Sequence, residues 1–261
     1  MARPRGGDSV SRKKGGAKGR ASRARQVYIF TEGEVTEPEY IDIIVKKGTQ
    51  ATPGRGVDHH FENENAVGKH RKPYAMVKDA VRTLRKVERE ARDAGLTAED
   101  WNYPEVWVIF DRDDHLNIRE ARQLADKEGV RIAYSHPCFE LWRLLRYVNY
   151  TSSFGGVCGD ANSRLRSRPG FAAAYGRQVR TVSEQQSKHM REEQVLSEDG
   201  QRYRDAKKYA KAINNRVEST NPEKWDPYTD VWNFVEDGLL LSGYQAASTY
   251  GVLDACCGDL T

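Results

Sequence analysis

The chain has 261 residues, enough to bury one large core or two modest ones, and 31% of them are Asp, Glu, Lys or Arg against 38% hydrophobic. No apolar run approaches the roughly 18 residues that a membrane span requires, and the basic N-terminus runs on into Gly, Ser and more Arg and Lys. Neither a secretory signal nor a membrane anchor is expected, and the cytoplasm is the expected location.

The formal net charge of +4 hides an asymmetry: the first 25 residues hold nine Lys or Arg and one Asp, leaving 33 basic against 37 acidic residues in the remainder. Residues 1–25 have almost nothing apolar to bury, so a disordered basic tail is expected there. Such a tail reaches nucleic acid by displacing counterions from phosphates, or it serves only to solubilise. The cysteines Cys138, Cys158, Cys256 and Cys257 show no CxxC or other zinc spacing and are few for a disulfide framework. Reduced thiols are expected, with Cys138 in a helix and Cys256 and Cys257 in a C-terminal tail over residues 246–261.

Order is expected to begin at residues 26–31, a short apolar and β-branched run that reads as a buried strand and ends in Glu32-Gly33-Glu34. A helix follows, with Thr36 as N-cap, Glu37 and Glu39 beside its positive end, and Tyr40, Ile41, Ile44 and Val45 as its apolar face. Residues 48–73 are rich in Gly, His, Asn and charge and read as a loop around a weak strand at 57–61. From residue 74 to about 94, Met76, Ala80, Leu84, Val87 and Ala91 form a helical stripe with Gly95 as its C-cap.

Residues 105–110 are the strongest strand, apolar almost throughout and so expected at the centre of a sheet covered on both faces. They run directly into Asp111-Arg112-Asp113-Asp114-His115. A helix over 118–128, a strand over 130–134 and a helix with Pro137 in its first turn come next. Residues 149–169 read as loop, and 202–217 and 231–241 as helical. The alternation predicts an α/β fold with a mostly parallel sheet flanked by helices over residues 26–150, and a mainly helical C-terminal portion over 151–245. That portion is either an appendage on the first or a separate domain.

In such sheets functional groups gather outside the carboxyl ends of the strands, where Glu32, Asp111 and Asp113 all fall. On an extended strand end Asp111 and Asp113, two residues apart, point to one side and can face one cation. Mg²⁺ suits carboxylates completed by water or phosphate better than zinc does. Glu32 then serves as general acid or base or completes the metal shell. Taken alone, Asp-x-Asp after a strand is more often a solvated turn or a helix cap. The coincidence of three strand ends carries the catalytic reading.

The blocks 29–40 (IFTEGEVTEPEY), 108–114 (VIFDRDD), 135–142 (SHPCFELW), and 221–222 through 227–231 (NP through PYTDV) resemble the successive blocks of RloB-like proteins, over roughly residues 26–241. Where that family commonly has Asn before the Pro-Cys-Phe-Glu block, this chain has His136. The resemblance implies a Toprim-like fold, the module also found in topoisomerases, primases and old-family nucleases. It implies Glu32 as acid/base residue and Asp111 and Asp113 as metal ligands, and so a Mg²⁺- or Mn²⁺-dependent nuclease cleaving DNA or RNA. It also implies an AAA-type ATPase partner in an antiphage, abortive-infection type of defence system. The chain has no Walker A motif of its own. The alternative is a non-catalytic Toprim-like subunit that binds nucleic acid or serves as a scaffold, and self-association is left open by the sequence.

Three further residues are weighed as accessories. Glu140 either approaches the acidic site or merely suits a helix N-terminus. His115 is a phosphate contact or an exposed loop histidine, and His136 likewise, with the added point that it stands at a strand end. Lys188, Arg191, Arg202, Arg204, Lys207, Lys208 and Lys211 could meet a nucleic-acid backbone, though a basic helix face is more often just solvated. Tyr203, Tyr209, Trp225, Tyr228 and Trp232 could stack bases but read better as packing residues.

Overall fold

Two apolar runs build the centre of the sheet. Strand β1 (Arg25–Thr31) and strand β3 (Glu105–Asp111) lie side by side and parallel, with Phe30 opposite Val108 and Thr31 opposite Ile109. Between them in the chain come helix α1 (Thr36–Lys47), strand β2 (Val57–Phe61) and helix α2 (Pro73–Asp93). Helix α3 (Ile118–Glu128) then leads to β4 (Arg131–His136), and the sheet order is β2-β1-β3-β4-β5, with β5 (Tyr228–Thr229) alone antiparallel. The computed structural model describes residues 24–113, 115–197 and 200–242. Most of the expected basic tail, Asp114, and the C-terminal segment with Cys256 and Cys257 lie outside the described residues.

Side-chain alternation gives the central strands two apolar faces. Phe30, Val106, Val108 and Phe110 meet α2 and α3 through Met76, Val77, Ala80, Leu84, Ala121 and Ala125. Val27, Ile29, Trp107 and Ile109 face the other way, toward Tyr40, Ile41 and Ile44 of α1. On that second side pack α4 (Glu140–Leu144), α5 (Cys158–Arg166), α6 (Pro169–Ala172), α7 (Glu184–Ser187), α8 (Glu192–Val195) and α9 (Gln201–Asn214). Helix α10 (Val231–Asn233) and a π-helical turn (Phe234–Gly238) close it. The architecture is α/β, with a mostly parallel five-stranded sheet flanked by helices and a helical C-terminal part. Phe171, Tyr203 and Phe234 of that part share one apolar cluster with Val27 and Ile29.

Several local expectations are corrected. Thr36 does not cap α1; its hydroxyl donates to the Lys188 carbonyl (2.9 Å), tying the helix start to the C-terminal half. Pro137 follows a cis peptide bond, and α4 begins three residues later at Glu140. Residues 149–169 include α5, whose buried side chains are only Ala161 and Leu165, too sparse a stripe for periodicity to reveal. Cys138 and Cys158 are joined in a disulfide rather than held as separate thiols, because the turn after β4 and the start of α5 meet.

From β1 the chain crosses to β2 on one side, then returns through α2 to β3 on the other. The carboxyl ends of β1 and β3 therefore flank a topological switch point, where open α/β sheets bind their ligands.

Candidate acidic site

Glu32 extends β1 by one rung, its N–H donating to the Ile109 carbonyl at 3.0 Å. The strand end is fixed from below. Asn63 pairs with Thr31 as a strand would, accepting from its N–H (3.1 Å) and donating to its carbonyl (2.8 Å). The buried Arg71 guanidinium donates to the carbonyls of Thr31, Gly33, Asn63, Glu64 and Ala66. These contacts hold the Glu32-Gly33-Glu34 turn in one shape, and satisfy carbonyls that burial would otherwise leave unpaired.

With its backbone held, Glu32 is engaged on both carboxylate oxygens. Oε2 accepts the Asp111 N–H (3.0 Å), bridging β1 to β3, and Oε1 lies 2.6 Å from His115 Nε2. The hydrogen bond to Glu32, with its charge and that of Asp113, raises the His115 pKa above the usual imidazole value against the opposing effect of partial burial.

Asp111 is the last residue of β3, and its Oδ2 accepts the Phe139 N–H at 2.9 Å. Alternation does not carry on to Asp113, which adopts φ 33° as its N–H donates to the Pro137 carbonyl (3.2 Å). The strand has ended, so the two carboxylates do not project in parallel as an extended strand end would place them. Both still line one open pocket of about 440 Å³, together with Glu32, Glu37 and Glu140.

Glu37 is the carboxylate that the sequence reading assigned only to helix-end electrostatics. It is buried at the second position of α1, and its Oε1 accepts the Gly33 N–H at 3.2 Å. A Cβ at position 33 would overlap the Glu37 carboxylate, so a larger residue there would have to displace that side chain. Burial first, then the charges of Glu140 and Glu32, push the Glu37 pKa up to about 7. Asp111 is likewise raised well above its ordinary value, by burial and then by Glu37, Glu32 and Glu140. Among the described residues, no Lys or Arg forms an ion pair with Glu37 or Asp111. Charge repulsion of this kind, in a pocket of oxygen donors, fits a hard divalent cation.

The structure thus gathers Glu32, Asp111, Asp113 and Glu140 at one pocket, with His115 bonded to Glu32. His136 stands elsewhere. It shares a strand face with Tyr134, on the α2/α3 side, with ring centroids 6.5 Å apart, and burial lowers its pKa so that it stays neutral. Of the basic residues weighed, Lys188 lines the pocket. Lys207 is bound to Glu236 at 2.6 Å, and Lys211 lies over the Trp232 ring. Tyr203 is core, while Trp225 and Tyr228 pack against Tyr134. Among the described residues, the three-residue set whose metal-donor atoms all fall within 4.8 Å of one another is Cys138, Glu140 and Cys158, on the wall of the same pocket.

Among the described residues, no helix is long and apolar enough to cross a membrane. In comparisons with known proteins, the sequence model for RloB-like proteins matches residues 27–237. Neither the curated proteins nor the solved structures gave a match.

Proposed function

The chain belongs to the RloB-like family, and from that premise we propose that it is a Mg²⁺- or Mn²⁺-dependent nuclease with a Toprim-like active site. The observation that carries this reading is the pair of buried carboxylates, Glu37 and Asp111, at one pocket, whose pKa values are raised by burial and then by neighbouring carboxylates and which form no ion pair with Lys or Arg among the described residues. Glu37, Asp111 and Glu140, with Asp113 at the pocket margin, are the residues that would hold the ion. The chemistry that such an ion would supply there is charge neutralisation on a phosphodiester and a lowered pKa for water.

The chain's own groups supply the rest. Glu32, bonded on both oxygens, fixes the Asp111 backbone and orients His115. With Nε2–H donated to Glu32, the proton that His115 would give a departing oxygen is the one on Nδ1, and the Glu32 hydrogen bond, by raising the His115 pKa, favours the protonated ring. Lys188, which lines the same pocket, offers a cation to a non-bridging phosphate oxygen. Glu in the turn after one strand and Asp-x-Asp after its parallel neighbour support the Toprim-like assignment.

The family resemblance and the missing Walker A motif support the wider proposal: an effector of antiphage defence in the bacterial cytoplasm, working with an AAA-type ATPase. The test is cleavage of supercoiled DNA, single-stranded DNA and tRNA by the full chain with Mg²⁺, Mn²⁺ or EDTA, with and without an AAA-type ATPase encoded beside it. Metal-dependent cutting that disappears in Glu32→Gln and Asp111→Asn is the expected result. Binding of nucleic acid with no cutting under any of these conditions would leave the protein a scaffold or binding subunit.

A further inference from the structure

We infer that Cys138, Glu140 and Cys158 form, in the reduced chain, a site for a thiophilic divalent cation such as Zn²⁺, and that the disulfide is the closed state of that site. The donor atoms of all three lie within 4.8 Å of one another, with Cys158 Sγ 3.7 Å from Glu140 Oε2. Two thiolates and a carboxylate are a softer donor set than the neighbouring carboxylates Glu37, Asp111 and Asp113, with which they share Glu140, and they select zinc over magnesium.

The framework around the donors is already built. Cys138 is buried in the turn after β4, and Cys158 is the first residue of α5, a helix start that favours a thiolate. Their Cα atoms stand 5.5 Å apart. Zinc–sulfur bonds of about 2.3 Å at a tetrahedral centre place two sulfurs roughly 3.7 Å apart. That is about 1.7 Å more than in a disulfide, a difference that side-chain rotation can supply. Arg143 is buried with its Nη1 3.6 Å from Glu140 Oε1, an outer partner that orients the carboxylate toward the cysteines. All three donors line the acidic pocket, which gives the ion a route in and leaves a coordination position for water.

Opening the pair takes two electrons and two protons from a dithiol reductant, which leaves as its own disulfide. Cation binding then releases the two thiol protons to solvent. An ion held here also neutralises Glu140, one of the charges acting on Asp111 and Glu37.

The full chain carrying Cys256→Ser and Cys257→Ser is reduced with dithiothreitol, desalted under nitrogen, loaded with Zn²⁺ and titrated with a chromophoric chelator. The oxidised protein and a Cys158→Ser variant are run beside it. The reduced chain is expected to hold one Zn²⁺ per molecule roughly 10²-fold more tightly than either. Mass spectrometry is expected to show Zn²⁺ protecting Cys138 and Cys158 of the reduced chain from alkylation, a readout that does not depend on the variant folding. Equal zinc retention by the reduced and oxidised chains, or thiols alkylated equally with and without Zn²⁺, would overturn the inference. Neither readout depends on nuclease activity, so the inference can fail while the proposed function stands.

Discussion

The two faces of the sheet solve the same packing problem with different residues. On the α2/α3 side the buried cluster is apolar: Met76, Val77, Leu84 and Val87 of one helix and Ile118, Ala121 and Ala125 of the other lie against Phe30, Val108 and Phe110. On the α1/α4 side the interior carries charge. Arg146 is buried there, donating to the Tyr40 hydroxyl (3.0 Å) and the Val195 carbonyl (2.7 Å), while the Trp142 indole donates to the same Tyr40 hydroxyl (2.9 Å). Glu37, Glu140 and the cysteine pair belong to this second side. One face supplies stability by burying area, and the other spends part of it on buried polar groups that need partners.

The largest effect expected from breaking this contrast comes from Asp111→Asn. It should cut metal-dependent cleavage by about 10³-fold or more, the several kcal/mol of charge stabilisation that a bound ion supplies. Because the substitution removes a repelled buried charge, the same variant should unfold at higher temperature than wild type in EDTA. Next comes the dry face, where Leu84→Ala should cost about 2 to 5 kcal/mol in urea unfolding and leave cleavage per folded molecule unchanged.

Metal-free protein should also respond to pH. Folded Glu37 keeps its proton up to about pH 7, whereas an unfolded glutamate loses it near its ordinary value of 4.5. Within that window the native state binds more protons, so stability falls as pH rises, by on the order of 3 kcal/mol. Urea midpoints in EDTA across the window should decline, and saturating Mg²⁺ should flatten the decline. The smallest effect belongs to the turn support: Asn63→Ala leaves the backbone groups of Thr31 unpaired and should cost about 1 to 3 kcal/mol, measured by thermal melting.

The same contrast explains what the sequence made legible. Strands β1 and β3 are short unbroken apolar runs, and helix α3 spans residues 118–128 as its periodicity predicts, because area burial writes a pattern into the chain. Glu32 and Asp111 were found because each directly follows or ends such a run. Glu37 was not, since a glutamate near a helix start looks alike whether it faces water or folds back against Gly33; the signal was the glycine itself, two residues after β1 ends, where a Cβ would overlap the Glu37 carboxylate. Asp113 left the expected side once φ became positive, which alternation cannot foresee. The Cys138–Cys158 contact spans 20 residues and depends on where α5 docks, and β5 is two residues long. Both are products of tertiary packing, with no local pattern to announce them.

The proposed activity requires that the carboxylates at the β1/β3 switch point hold a divalent cation. Electron paramagnetic resonance of Mn²⁺ titrated into the unreduced chain tests this directly, with Asp111→Asn and Glu37→Gln beside the wild type. Loss of the free-ion signal in wild type, displacement of the bound Mn²⁺ by Mg²⁺, and a free-ion signal retained in both variants is the predicted result. Equal Mn²⁺ uptake by all three proteins, or none by the wild type, would contradict it.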